Sequence, residues 1–189
     1  MFLEELLSGK HLIVSYYYSV NLSITFSIAR ELTRRGEKVC ILNQEKIKWN
    51  LVPFSVDLTC DQGSVNMVFE ADSENQVPPN YLLVTSIREL KLPDSRKFKV
   101  TKVDANSFLA IGEGTRFLFR LNHGVIEDVQ ERDDVIQILR ELGGEATLQD
   151  LVNISSRKLR RSKEEIREEL SHLVKIGRVE IKKSRVRLK

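Results

Sequence analysis

The sequence has little of what metal centres, redox motifs and secreted frameworks are built from. It contains three histidines, two cysteines, four prolines, nine glycines and one tryptophan in 189 residues. His11, His123 and His172 are dispersed and match no metal-ligand spacing, and His123, in an Asn-His-Gly run, reads as a turn residue. Cys40 and Cys60 lack CxxC spacing, and Cys40, in an apolar run, is expected to be a small buried hydrophobe, so neither is assigned as a ligand or nucleophile. No apolar stretch approaches the roughly 18 residues of a membrane helix. The opening MFLEELLSGK carries acids where a secretory leader would carry only bases. A cytoplasmic protein is therefore expected. There is no internal repeat and no low-complexity tract.

What is present suits an ordinary folded chain: 41% apolar residues are enough for a core, and 189 residues fit one or two domains. A charged fraction of 30% is somewhat high and is compatible with a thermophilic source. The charge is uneven. Residues 151–189 hold 13 Lys and Arg against 5 Asp and Glu, a balance of +8, while the first 150 residues carry −5.

The most telling segment is LIVSYYYSVNLSITFSIARELTRRGEKVCIL, residues 12–42. An apolar run ending at Val14 predicts a strand. Ile24, Ile28 and Leu32, with Ala29, predict a helix with one apolar stripe. Arg34, Arg35 and Gly36 supply a cationic end and a left-handed cap, and a second strand follows at 39–42. A parallel strand–helix–strand unit is the natural result.

A working phosphate-binding loop at such a turn reads GxxxxGK[ST], because glycines let backbone N–H groups wrap the phosphates while Lys and the hydroxyl reach the terminal phosphate and magnesium. Aligned on the flanks, the first Gly falls on Ser15, the second on Val20, the Lys on Asn21 and the hydroxyl on Leu22. The spacing survives and the chemistry does not. Over residues 1–130 the chain resembles the RecA-like P-loop family, its recombinase and KaiC branch in particular. The run YLLVTS at 81–86 looks like that family's second nucleotide-site strand, with Thr85 or Ser86 where a magnesium-binding aspartate belongs. Segments 97–103, 116–121 and 125–129, with turns at 112–114 and 122–124, resemble its closing strands. The resemblance implies a truncated, parallel-rich RecA-like α/β sheet with flanking helices. The missing Lys and Asp imply a pseudo-ATPase that binds no cofactor. Such domains associate beside the nucleotide site, so a protein partner or self-association is expected. Tyr16, Tyr17 and Tyr18 occupy the vacated loop; aromatic rings there can stack on bases, and the preferred expectation is that they fill the space or pack on a partner.

Residues 131–189 read as a second domain: an apolar helix at 135–142 stopped by Gly143 and Gly144, a short helix from Leu148, and a longer helix closed by Gly177. Strands follow at Val179–Lys182 and Arg185–Leu188. Ser162 and Glu165 spell a capping box, and Ile166, Leu170, Leu173 and Val174 form the buried stripe. The stretch resembles the winged helix-turn-helix of archaeal and bacterial regulators. Its exposed helix face is mixed, because Glu164 and Glu168 would oppose phosphate. The basic set is Arg157, Lys158, Arg160, Arg161, Lys163 and Arg167, with Lys182, Lys183, Arg185 and Arg187 on the hairpin, and these are the candidate contacts to duplex DNA phosphates. The acidic junction at 129–134 is short, so close packing of the two domains is expected. The function expected is a non-catalytic, DNA-associated accessory or regulatory protein of the recombinase-paralogue type, in repair, replication or transcription. The alternatives are a scaffold whose winged helix docks a protein, and a nucleotide sensor or ATPase.

Overall fold

A computed structural model describes residues 1–129 and 134–189. The chain divides into two compact units, Met1–Val129 and Gln130–Lys189. The junction read at 129–134 falls mostly on 130–133, outside the described residues.

The first unit is a mixed α/β structure on one eight-stranded sheet, in the order β2-β3-β4-β1-β5-β6-β7-β8. Strands β1 (His11–Val14), β2 (Val39–Leu42), β3 (Val65–Val68), β4 (Leu83–Ser86) and β5 (Arg96–Lys102) run parallel. From β5 the sheet continues antiparallel through β6 (Ser107–Ile111), β7 (Arg116–Asn122) and β8 (Val125–Asp128). The short apolar runs predicted as strands all appear. Strand β6, not anticipated, completes the meander between β5 and β7.

Helix α2 (Tyr18–Arg34) joins β1 to β2. It was expected to bury one stripe, yet residues 20–29 are buried on every side, the polar Asn21, Ser23, Thr25 and Ser27 included. The cause is the curl of the sheet. The helix touches β2 and β4 towards one end and β8 at the other, so the strands wrap around it. Trp49 and Phe54 close the remaining side, the Trp49 ring edge-on to Phe26 at 6.1 Å and the Arg30 guanidinium 4.0 Å from the Phe54 ring centroid. Gly124, in the β7–β8 turn, lies against Pro53; its φ of +79° and the 2.5 Å that would separate an added Cβ from Pro53 Cβ both require glycine there.

A short N-terminal helix α1 (Phe2–Leu6) plugs the antiparallel end. Phe2 is fully buried, stacks on Phe119 at 5.0 Å, and donates its backbone N–H to Asp128 Oδ1 at 2.8 Å.

The exposed edge of β2 is covered instead of being left as a template for strand pairing. Thr59 N–H donates to Val39 C=O at 2.8 Å, Gln44 Nε2 donates to Ile41 C=O at 3.0 Å, and Leu58 bridges Val39. Cys40 and Cys60 form a disulfide that ties this cover to the strand. The reading of Cys40 as a plain buried hydrophobe is therefore corrected. Twenty residues separate the two cysteines, so nothing local in the sequence indicates the pairing.

The second unit contains α3 (Asp134–Glu141), β9 (Glu145–Thr147), α4 (Leu148–Leu159), α5 (Lys163–Lys175), β10 (Val179–Lys182) and β11 (Arg185–Leu188). The strands form an antiparallel sheet in the order β10-β11-β9. Lys183 and Ser184, with φ of 47° and 61°, make the two-residue left-handed turn that matches hairpin twist. The capping box on α5 is formed: Glu165 N–H donates to Ser162 Oγ at 3.1 Å and Ser162 N–H donates to Glu165 Oε2 at 2.8 Å. Ile166, Leu170 and Leu173 are buried with Val135, Leu139, Leu151 and Val186, while Val174, expected in that stripe, is 39% exposed. Among the described residues no helix is long and apolar enough to cross a membrane.

Candidate nucleic-acid interface

The turn after β1 is only three residues long. Helix α2 begins at Tyr18, so Val20, Asn21 and Leu22 are helical and buried instead of lying in a loop. Without the two glycines, nothing holds residues 18–22 open and the helix extends backwards through them. Ser15 is buried and its Oγ accepts from Tyr17 N–H at 3.1 Å.

The neighbouring strand ends close the space with protein partners. Asn21 Nδ2 donates to Ser15 C=O and to Glu70 Oε1, each at 3.1 Å. The lysine at this edge is Lys46, from the segment after β2; its ammonium donates to Glu70 C=O at 2.6 Å and pairs with Asp72 at 2.5 Å. That pairing holds the Asp72 carboxyl below its usual range. The carboxylate at this edge is Glu70, just past β3. Thr85 and Ser86 are buried and bind backbone: Thr85 Oγ1 accepts from Glu70 N–H, and Ser86 Oγ donates to Ala71 C=O. Glu70 sits at φ +46°, a left-handed conformation unusual for a non-glycine residue.

The three tyrosines divide. Tyr17 packs edge-on to Phe108 at 5.4 Å, and Tyr18 stands perpendicular to Phe69 at 5.5 Å while its hydroxyl accepts from Lys48 N–H and donates to Lys46 C=O. Tyr16 is 77% exposed.

In the second unit the ten basic candidates separate by what already holds them. Lys158 pairs with Glu141 at 2.6 Å, Arg167 with Glu164 at 3.3 Å, and Lys182 with Glu180 at 2.9 Å. Arg185 and Arg187 both reach Glu145, at 2.7 and 2.8 Å, and together hold its carboxyl below the usual range, Arg185 contributing most. Arg161 is different in kind. It pairs with Glu169, whose side chain is 8% exposed, and this hydrogen bond raises the already high pKa of the guanidinium. Arg161, partly buried, is therefore held by a carboxylate between the two helices.

Four remain. Arg157 and Arg160 at the end of α4, Lys163 at the start of α5, and Lys183 at the hairpin tip are exposed and have no ion-pair partner among the described residues. Lys163 and Ser184 line one hollow of about 350 Å³, together with Gln149, Asn153 and Arg167, so the start of α5 and the hairpin turn meet there. Arg160 ends α4 in a left-handed conformation at φ 53°.

Glu145, Glu169 and Glu70 were missed as organisers. Glu145 acquires its role only through the pairing of β9 with β11, which no local pattern announces. Among the described residues no cluster of three or more His, Cys, Asp or Glu side chains could hold a metal. No family model, curated protein or solved structure matches the chain.

Proposed function

We propose that the second unit is a winged-helix module that holds duplex DNA through its phosphates, and that the first is a RecA-like domain retained for assembly and not for nucleotide chemistry. The observation that carries the DNA reading is the unpaired set Arg157, Arg160, Lys163 and Lys183. Charges already matched by a carboxylate must exchange partners to meet a phosphate, whereas these four need only shed water and counterions. Contacts of this kind position a protein on DNA with little choice of sequence. Glu164 and Glu168 on the outer face of α5 argue against deep base reading by that helix.

For the first unit, support comes from the strand–turn–helix at β1 and from what now fills it. Asn21 Nδ2 binds the Glu70 carboxylate, and Lys46 is engaged by the Glu70 carbonyl and Asp72, where a nucleotide would need a lysine and a magnesium carboxylate free. Tyr16 and Ile87, 77% and 46% exposed, follow the adjacent ends of β1 and β4 and offer an apolar contact for a protein partner or a second copy.

The test is fluorescence anisotropy of the intact chain on a duplex of about 20 base pairs. Changing Arg157, Arg160, Lys163 and Lys183 together to Ala abolishes binding in this reading. Changing the paired Arg185 and Arg187 weakens it less. Equal loss from both sets would remove the distinction on which the reading rests.

A further inference from the structure

Along the hairpin-facing side of α5 runs a trough of which the proposed phosphate contacts use only Lys163. The hollow that holds Lys163 and Ser184 shares Leu148 and Arg167 with a second one, of about 380 Å³, so the two lie side by side along the helix. The second is floored by Leu148, Leu170, Val174 and Ile181 and edged by Ser171 and Lys175. Val174 and Ile181 are 39% and 38% exposed. Each departs from its element's pattern, Val174 at the margin of the buried helical stripe and Ile181 beside Glu180 and Lys182 on β10. A phosphodiester backbone has nothing apolar with which to cover them.

We propose that this trough docks a short acidic, amphipathic protein segment. A bulky aliphatic or aromatic side chain sits on Leu148, Val174 and Ile181, and one or two carboxylates meet Lys163 and Arg167. The charge of the walls commits the occupant: Lys163 and Arg167 line the trough and, among the described residues, no carboxylate does. Glu164, which pairs with Arg167, lies outside both hollows, so an incoming carboxylate can add to the same guanidinium. A second copy of this unit, with 15 Lys and Arg against 11 Asp and Glu, has a net positive charge of its own and no acidic excess to offer the trough. An apolar anchor one helical turn from acidic residues is the pattern by which amphipathic helices enter grooves. The trough includes Lys163, one of the four proposed phosphate contacts, so the acidic segment and DNA compete. The inference thus adds a regulator to the DNA reading without depending on it.

The test uses the intact chain and a labelled synthetic peptide of about twelve residues, with Leu or Phe at positions i, i+3 and i+7 and Glu or Asp at most others. The comparison peptide has the same composition in scrambled order. The patterned peptide is expected to bind at least tenfold more tightly than the scrambled one. Val174→Ser with Ile181→Thr is expected to weaken it at least tenfold while DNA affinity stays within about twofold, a readout that also shows the variant is folded. Unlabelled peptide is expected to displace labelled duplex. Equal binding of both peptides, or patterned binding untouched by the double variant, overturns the proposal. Peptide binding without any DNA binding would leave the trough in place and remove the DNA reading alone.

Discussion

Cutting the Cys40–Cys60 link tests how the sheet edge is held. In Cys60→Ser the exposed partner is removed and Cys40, 3% exposed, stays buried as a small thiol. The cross-link spans 20 residues, and releasing a loop of that length returns roughly 3 kcal/mol of conformational entropy to the unfolded chain. Against a typical stability of about 5–15 kcal/mol, that is a large share. With a urea dependence of about 1–3 kcal/mol per molar, the midpoint should fall by roughly 1–3 M. The single tryptophan makes the assay specific, because Trp49 packs on Phe26 and so reports the first unit alone. Hydrogen exchange should quicken first at Thr59, whose N–H binds the edge strand. Wild type in reductant should behave as the variant does. A midpoint moved by less than about 0.3 M would refute the argument that the disulfide pins the cover over β2.

Four further outcomes follow from the packing. Arg161→Ala should destabilise the second unit by about 1–3 kcal/mol by leaving the Glu169 carboxylate without its partner, whereas Arg157→Ala should change thermal stability by less than about 0.5 kcal/mol; thermal melts followed by circular dichroism separate the two roles. Ser162→Ala should cost about 1 kcal/mol through the lost capping box, shifting the melt of this small unit by roughly 4–8 °C. His11 is fully buried and burial lowers its pKa, so the unfolded chain takes up the proton first; stability should hold above about pH 6.5 and fall as pH drops below it, and His11→Leu should flatten that slope in pH-dependent urea titrations. Gly124→Ala should destabilise the first unit by about 1–3 kcal/mol, since an added Cβ meets Pro53 at a left-handed φ; an unchanged Trp49 unfolding midpoint would contradict the closure of the sheet around α2.

Much of this architecture was legible because apolar runs of four to seven residues and their turns are local. Residues 39–42, 81–86 and 116–121 announce strands by composition, and Ser162 with Glu165 announces the start of α5. Features that depend on distant partners were not legible. β9 is three residues whose identity as a strand rests on β11, and α1 is a single turn held by Phe2 on Phe119. The start of α2 was misplaced because a motif alignment assumed an open loop where, without glycine, helix is cheaper. The basic surface was legible as composition and not as chemistry: the sequence offers ten candidate cations, and only the fold reveals that Glu141, Glu145, Glu164, Glu169 and Glu180 occupy six of them.

The salt dependence of duplex binding by the intact chain tests the central claim most directly. Four phosphate contacts predict a slope of log K against log salt of about −3.6, and therefore a loss of roughly a hundredfold between 50 and 200 mM. Each Ala change among Arg157, Arg160, Lys163 and Lys183 should reduce the slope by about one. A slope near zero, or one unchanged by those substitutions, would contradict it.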